Sequence, residues 1–296
     1  MADAMTDFAS INESIGTIIA ESIIKFQRAN VMWNLMTNKK AVKGSGTVMF
    51  PIFTGLTESA VSAYSTGAEG TTTDATEFTS SGVSIEVLRK AISINLTDLS
   101  SDGSVEDMIS LSSATLGNAL AQKFDKDVLA LSSGFSQSAG SDTLNITLDM
   151  LFNAIQLLKT VNAPTFASGN YACILHPKQI WGAYGISNFL GNILAPNTKS
   201  QEMVGTGYVT TIAGLDIYWS SEVGVASNIA NGMIVSPQAL GTAWKDLNGN
   251  GSFIDVRAQY QVSTASTKLV GNGYYAVAEL VDTYGIELQT LVTTES

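Results

Sequence analysis

The residues able to do chemistry are few. The one histidine, His176, stands three residues after the one cysteine, Cys173, in YACILHPKQ. On a strand, positions three apart face opposite sides, so the two cannot form a dyad by themselves. His176 reads as a structural histidine at a strand-to-helix corner, and Cys173 as a small buried hydrophobe. Zinc sites built from His and Cys need more ligands than these. The chain has no G-x-x-x-x-G-K-[ST], G-x-G-x-x-G or G-x-S-x-G motif. In DLNGNGSFIDVR, Asp246, Asn248, Asn250 and Gly251 fit positions 1, 3, 5 and 6 of a calcium loop, but Arg257 stands where the bidentate Glu belongs. A weak calcium site and a hairpin tip on Asn-Gly turns both account for these residues. Neither a cofactor nor a catalytic residue is expected. The sequons at Asn95 and Asn145 carry no meaning without a secretory leader, and none is visible.

Composition narrows the classes. The chain has 296 residues, 45% hydrophobic and only 14% charged, with a formal net charge of −11. No basic run is longer than Lys39-Lys40, so it lacks the basic patch that grips nucleic acid directly. No apolar run approaches the ~18 residues of a membrane span. Low charge with much Ser, Thr, Gly and Ala suits a surface covered by neighbours.

The elements that would position everything else begin with Ser104–Gly134. Val105, Met108, Ile109, Leu116, Leu120, Phe124, Val128 and Leu131 keep a three-and-four spacing, predicting a helix about 40 Å long. Ser104 and Asp107 fit a capping box, Lys123 and Asp127 are spaced to pair, and Gly134 is suited to a left-handed stop. A domain of ordinary size is shorter than this helix, which predicts a spine. Ser10–Met36 carries a second amphipathic pattern (Ile11, Ile15, Ile18, Ile19, Ile23, Phe26, then Trp33 and Met36). With the polar stretch Thr37–Gly46 behind it, it reads as an arm or as an ordinary core helix.

Strands are expected at TVMFPIF, where Pro51 marks an edge, and at GVSIEVLRKAISINL, whose alternation shifts phase at Leu88. About thirty Gly-, Ser- and Thr-rich residues lie between them, a length usual for a functional or disordered loop. A two-stranded loop reaching onto a neighbour accounts for it. Thr147–Val161 predicts a helix, YACIL a central strand, and Pro177 the first turn of a short helix through Trp181. TGYVTTIAGLDIYWSSEV predicts a hairpin turning at Ala213-Gly214, and GMIVSPQAL, SFIDVRAQYQV and YYAVAELVDTYGIELQTLV further strands. The class is α+β.

In this order the elements resemble the major capsid proteins of tailed bacteriophages, with the Hong Kong phage-type capsid fold. An arm precedes an extended loop, and SINLTDLSSD leads into a spine helix ending FDKDVLALSSG. A strand ends at His176-Pro177, the hairpin TIAGLDIYWSSEV follows, and GNGYYAVAELVDTYGIEL resembles the return strands. The likeness runs from about Ser22 to Leu288. It implies an N-terminal arm at 1–40, an extended β-hairpin loop at 41–95, a peripheral domain with the spine helix at 96–135 and 255–296, and an axial domain at 136–254. It implies a structural, non-enzymatic protein that self-assembles into hexamers and pentamers of an icosahedral shell around double-stranded DNA, without sequence-specific DNA binding. The shell would be a virion capsid assembled in the host cytoplasm, with a portal and a decoration protein as further partners. Because only a short arm precedes the loop, a separate scaffolding protein is expected. Because the loop from Leu56 to Ile85 has no lysine, non-covalent locking is expected. The expected assembly contacts are Ile15, Ile19, Phe26 and Trp33 of the arm; Glu69, Asp74 and Glu77 of the loop; and the basic residues Arg89, Lys90, Lys123 and Lys126, with Lys39 and Lys40 also available to the acidic loop tip. An encapsulin-like nanocompartment shell is the alternative within the same fold. A surface adhesin with calcium loops and an enzyme fit the residues less well.

Overall fold

The computed structural model describes residues 31–53, 80–102, 108–182, 185–186, 208–247 and 251–292. The expectations placed on Ile15, Ile19, Phe26, Glu69, Asp74, Glu77, Asn248 and Asn250, and on the Ser104–Asp107 cap, lie outside the described residues.

Two large sheets and one long helix make the frame. The first sheet is organised on β13 (Ser266–Glu279). Its N-terminal half is flanked by β12 (Ile254–Gln261) and β4 (Leu88–Thr97), both antiparallel. Its C-terminal half pairs with β11 (Leu240–Trp244), and β1 (Thr37–Lys40) closes that side, parallel to β11. The second sheet runs β5 (Ser138–Ser141), β14 (Gly285–Leu291), β10 (Ile229–Val235), β6 (Tyr171–Leu175), β8 (Leu215–Trp219) and β7 (Tyr208–Ile212), with the short β9 (Val225–Ala226) on β10. A separate two-stranded ribbon pairs β2 (Thr47–Phe53) with β3 (Ser80–Glu86). The helices are α1 (Asp98–Asp102), α2 (Met108–Leu129), α3 (Leu148–Thr160) and α4 (Pro177–Trp181).

The apolar patterns explain the packing. β6 is buried on both faces, as a continuous run of apolar residues demands. Tyr171, Cys173 and Leu175 face the core that α3 fills with Leu151, Ile155 and Leu158. Ala172 and Ile174 face a second core shared with Phe124 and Val128 of α2. Thr147 caps α3 by accepting the Met150 N–H. In α2, Leu116, Leu120, Phe124 and Val128 recur every four residues and are buried. The helix lies close on β13 because that strand presents Gly271 and Gly273: a Cβ on Gly271 would stand 3.2 Å from Leu120 Cδ1.

Several expectations change. The spine is an α-helix only to Leu129 and tightens into a 3-10 turn over Ala130–Gly134. Gly134 is not left-handed; the Glu279 carboxylate, the movable end of a side chain, lies where a Cβ would stand. The helix pattern does not continue through Trp33 and Met36: Met32–Leu35 is a 3-10 turn and Met36 is extended. Thr37–Lys40 is not linker but strand, its backbone hydrogen bonds taken by β11. The long strand from Gly82 breaks at Val87, where the phase shifts, into β3 of the ribbon and β4 of the large sheet.

The DLNGNG stretch is not a hairpin tip. β11 and β12 run in the same direction on one edge of β13: Lys245 N–H donates to Tyr274 O, and Ile254 stands opposite Gly273. β11 and β12 are therefore two pieces of one interrupted edge. The Ala213-Gly214 turn is as expected, with both residues at positive φ (53° and 93°), matching a tight hairpin of the I′ kind.

Candidate assembly surfaces

The place where the elements meet is an aromatic cluster. Trp33 stacks on Phe253 at 4.9 Å and lies 5.5 Å from Phe124 and 5.8 Å from Trp244. Phe124 and Phe253 both abut Tyr275, at 5.1 and 5.3 Å. One ring each comes from the N-terminal turn, the spine helix, β11, β13 and the residue before β12. Trp33, expected at an assembly contact, is thus packed within the chain. Beside it the buried Asp125 of α2 accepts backbone N–H bonds from Val31 at 3.0 Å and Met32 at 3.2 Å. This clip fixes the backbone of Val31 and Met32 against the spine helix. Nothing in the sequence pattern marked Asp125, which reads as one more polar position on a helix.

A second clip joins β4 to the spine. Asp127 accepts from Lys90 Nζ at 2.5 Å, Lys123 Nζ at 2.6 Å and Tyr275 Oη at 2.9 Å. Burial and the neighbouring Asp127 push the Tyr275 hydroxyl well above its ordinary pKa, so it stays a donor. Lys123 and Asp127 pair as their spacing predicts. Lys90 joins them from β4 and also lies over the Tyr275 ring.

The other basic candidates are dispersed. Lys39 reaches Met49 O at 3.4 Å and covers the Phe50 ring. Lys40 pairs with Asp246 at 3.0 Å. Arg89 Nε donates to Asn272 Oδ1 at 2.8 Å on the sheet face turned away from α2. Lys126 is exposed on α2. The structure therefore brings Lys90 and Lys123 together and separates them from Lys39, Lys40 and Arg89.

The chemistry-bearing residues are occupied structurally. His176 caps α4: its Nδ1 accepts the Lys178 N–H at 3.1 Å, while Gln179 Oε1 accepts the His176 N–H at 2.8 Å. Burial, helped by the Lys178 charge, lowers its pKa. Cys173 is completely buried and its thiol is pushed far up by desolvation, the opposite of an activated nucleophile. Asp246, whose side chain is 2% exposed, spends Oδ2 on Lys40 and on the Gly251 N–H at 2.9 Å. Arg257, at the twelfth position of the calcium pattern, pairs with Asp255. Among the described residues no three His, Cys, Asp or Glu side chains cluster as metal ligands.

What the body leaves uncovered is apolar surface at its extremities. On the β2–β3 ribbon, Val48, Phe50 and Ile85 pack down on Ala243, Ala276, Ala278 and Leu280. Met49 and Phe53 on the other face are 66% and 59% exposed. At the far end of the large sheet, Leu99 of α1 is 70% exposed and Val262, after β12, 84%. No described helix is long and apolar enough to cross a membrane.

By sequence, no family model and no curated protein matches the chain. By structure, it is similar to the capsid of Ralstonia phage GP4, with a TM-score of 0.70 at 10% identity over 100% of both chains. It is similar to the capsid of cyanophage P-SCSP1u, with a TM-score of 0.66 at 18% identity over 94% of this chain and 93% of the other. It is also similar to the holo-SrpI encapsulin complex of Synechococcus elongatus, with a TM-score of 0.65 at 14% identity over 99% and 98%. The chain has the Hong Kong phage-type capsid fold, an α+β architecture shared by phage heads and encapsulins.

Proposed function

We propose that this protein is the major capsid protein of a tailed bacteriophage, which self-assembles into hexamers and pentamers of an icosahedral shell around double-stranded DNA. One observation carries the reading: the fold is matched end to end, in both directions, by capsid chains of several phages. The apolar extremities support it, because closed symmetric assembly buries surface that a lone chain cannot, and obligate interfaces commonly exceed about 2,000 Å². The single histidine and the single cysteine serve as a helix cap and a core residue, which supports a structural rather than an enzymatic role.

In this reading residues 1–40 are the arm. Residues 41–95 are the extended loop, with Leu88–Asn95 built into the large sheet. Residues 96–135 and 255–296 form the peripheral domain, and 136–254 the axial domain around the second sheet. The shell forms in the host cytoplasm and becomes the virion capsid. A separate scaffolding protein, a portal and a decoration protein are the partners proposed. A net charge of −11 suits a wall that does not hold packaged DNA.

The similarity to an encapsulin favours a second reading, a nanocompartment shell. Particles purified from the native source discriminate. Nuclease-protected double-stranded DNA inside them supports the phage head, and a stoichiometric protein cargo without DNA supports the nanocompartment.

A further inference from the structure

His176 is the one histidine of the chain, the side chain whose ordinary pKa lies between pH 5 and 8. It follows β6 and caps α4. Its Nδ1 accepts the Lys178 N–H at 3.1 Å, which requires the neutral ring with its proton on Nε2. The helix it caps is slight. α4 has five residues, far fewer than a helix needs to persist in water by itself. Backbone bonds from Gln179 N–H to His176 O at 2.8 Å and from Gly182 N–H to Lys178 O at 3.1 Å turn it. One side is anchored: Ile180 is buried, and Gln179 Nε2 donates to Ala230 O of β10 at 3.3 Å and to Thr290 Oγ1 of β14 at 2.7 Å. The other side is open: Trp181 is 48% exposed and meets the Trp219 ring edge-on at 5.9 Å.

Protonation sets an N–H on Nδ1, where an N–H now donates. The Lys178 amide then loses its acceptor, and a cation stands at the positive end of the helix. The surroundings resist that charge. His176 is half-buried, and burial and the Lys178 ammonium both lower its pKa from the ordinary 6.5. The carboxylates of the strands around it are placed elsewhere. On β8, Asp216 stands opposite Ala172 and is held by Ser168, Asn170 and Thr211. On β14, Glu287 stands opposite Met233, three residues along from Thr290. Neither these nor Glu222, after β8, shifts the imidazole. A pKa lowered by folding means that the cap stabilises fully above about pH 6.5 and is lost as pH falls through the folded value below it.

We propose that His176 and α4 form a pH-sensitive latch: the neutral imidazole closes the helix, and its protonation frees the Lys178 amide and lets the first turn and Trp181 move off Trp219 while Gln179 stays anchored in β10 and β14. The latch belongs to this chain's own fold and holds whether or not the shell reading does.

Deuterium uptake read by mass spectrometry tests both halves in the full chain. Uptake at the His176 Cε1–H against pH gives the titration midpoint, expected below 6.5. Amide uptake in residues 178–182, corrected for the intrinsic pH dependence of exchange, should rise about fivefold from one pH unit above that midpoint to one unit below it. His176→Asn keeps a capping oxygen without a titrating group, and there the rise should vanish. His176→Ala should show the fast uptake at both pH values. A midpoint at or above 6.5, no rise across it, or an equal rise in His176→Asn overturns the proposal.

Discussion

Asp125 of the spine helix holds the backbone of Val31, ninety-four residues earlier, by a carboxylate bond of 3.0 Å, and that of Met32 by one of 3.2 Å. The long helix thus does more than span the body. It holds the turn at Val31 and Met32 and sets Trp33 against Phe124 and Phe253.

Breaking that clip should be costly. Asp125→Ala leaves buried N–H groups without their charged acceptor and should lower the unfolding free energy by about 3 kcal/mol. Asp125→Asn, which keeps one acceptor oxygen, should lose about half as much. Urea unfolding of the unassembled chain measures both. Equal stability of Asp125→Ala and wild type would show that the clip contributes nothing.

The Asp127 clip predicts a direction for pH. Burial pushes this carboxyl up, but the Lys123, Lys90 and Tyr275 donors outweigh it, so its pKa lies below the ordinary 3.8. A group whose pKa is lowered by folding stabilises the fold above its unfolded value and loses that contribution as pH falls through the folded value. The clip is therefore complete at neutral pH and fails only below about pH 4. The stability difference between wild type and Asp127→Asn should be constant from pH 8 to 5 and shrink below that. A difference that grows on acidification contradicts the assignment.

Two glycines should respond in opposite ways. Gly117 sits mid-helix with open space where a Cβ would stand, so Gly117→Ala should stabilise by about 1 kcal/mol. Gly271 faces Leu120 and Leu116 at 3.2 and 3.4 Å, so Gly271→Val should push α2 off β13 and destabilise by about 1–3 kcal/mol. Calorimetry of both variants checks the pair, and a stabilising Gly271→Val would contradict the close packing of α2 on β13.

What was legible in the sequence was periodic or punctuated. The four-residue spacing in α2, the unbroken apolar run of β6, the Ala213-Gly214 turn and the Pro177 helix start each depend on neighbours in the chain. What was not legible depends on distant partners. Thr37–Lys40 is polar and short, and is a strand only because β11 offers an edge. Gly134 looked like a left-handed helix stop, yet it is not left-handed, and its neighbour in space is Glu279, far along the chain. The spacing that suggests a calcium loop at Asp246 is local, whereas Lys40, which pairs with Asp246, is 206 residues away in sequence. The candidate contacts divided similarly. Lys123 and Asp127 could be paired by spacing, while Lys90 joined them through a sheet register that no local pattern encodes.

The most direct test is the mass and symmetry of what the purified chain forms, alone and with the proposed scaffolding protein, measured by analytical ultracentrifugation and electron cryomicroscopy. The account predicts closed shells or their hexameric and pentameric units, with the β2–β3 ribbon seated on a neighbouring copy. Chains that stay monomeric at high concentration and with scaffold present, with this same fold, would contradict it.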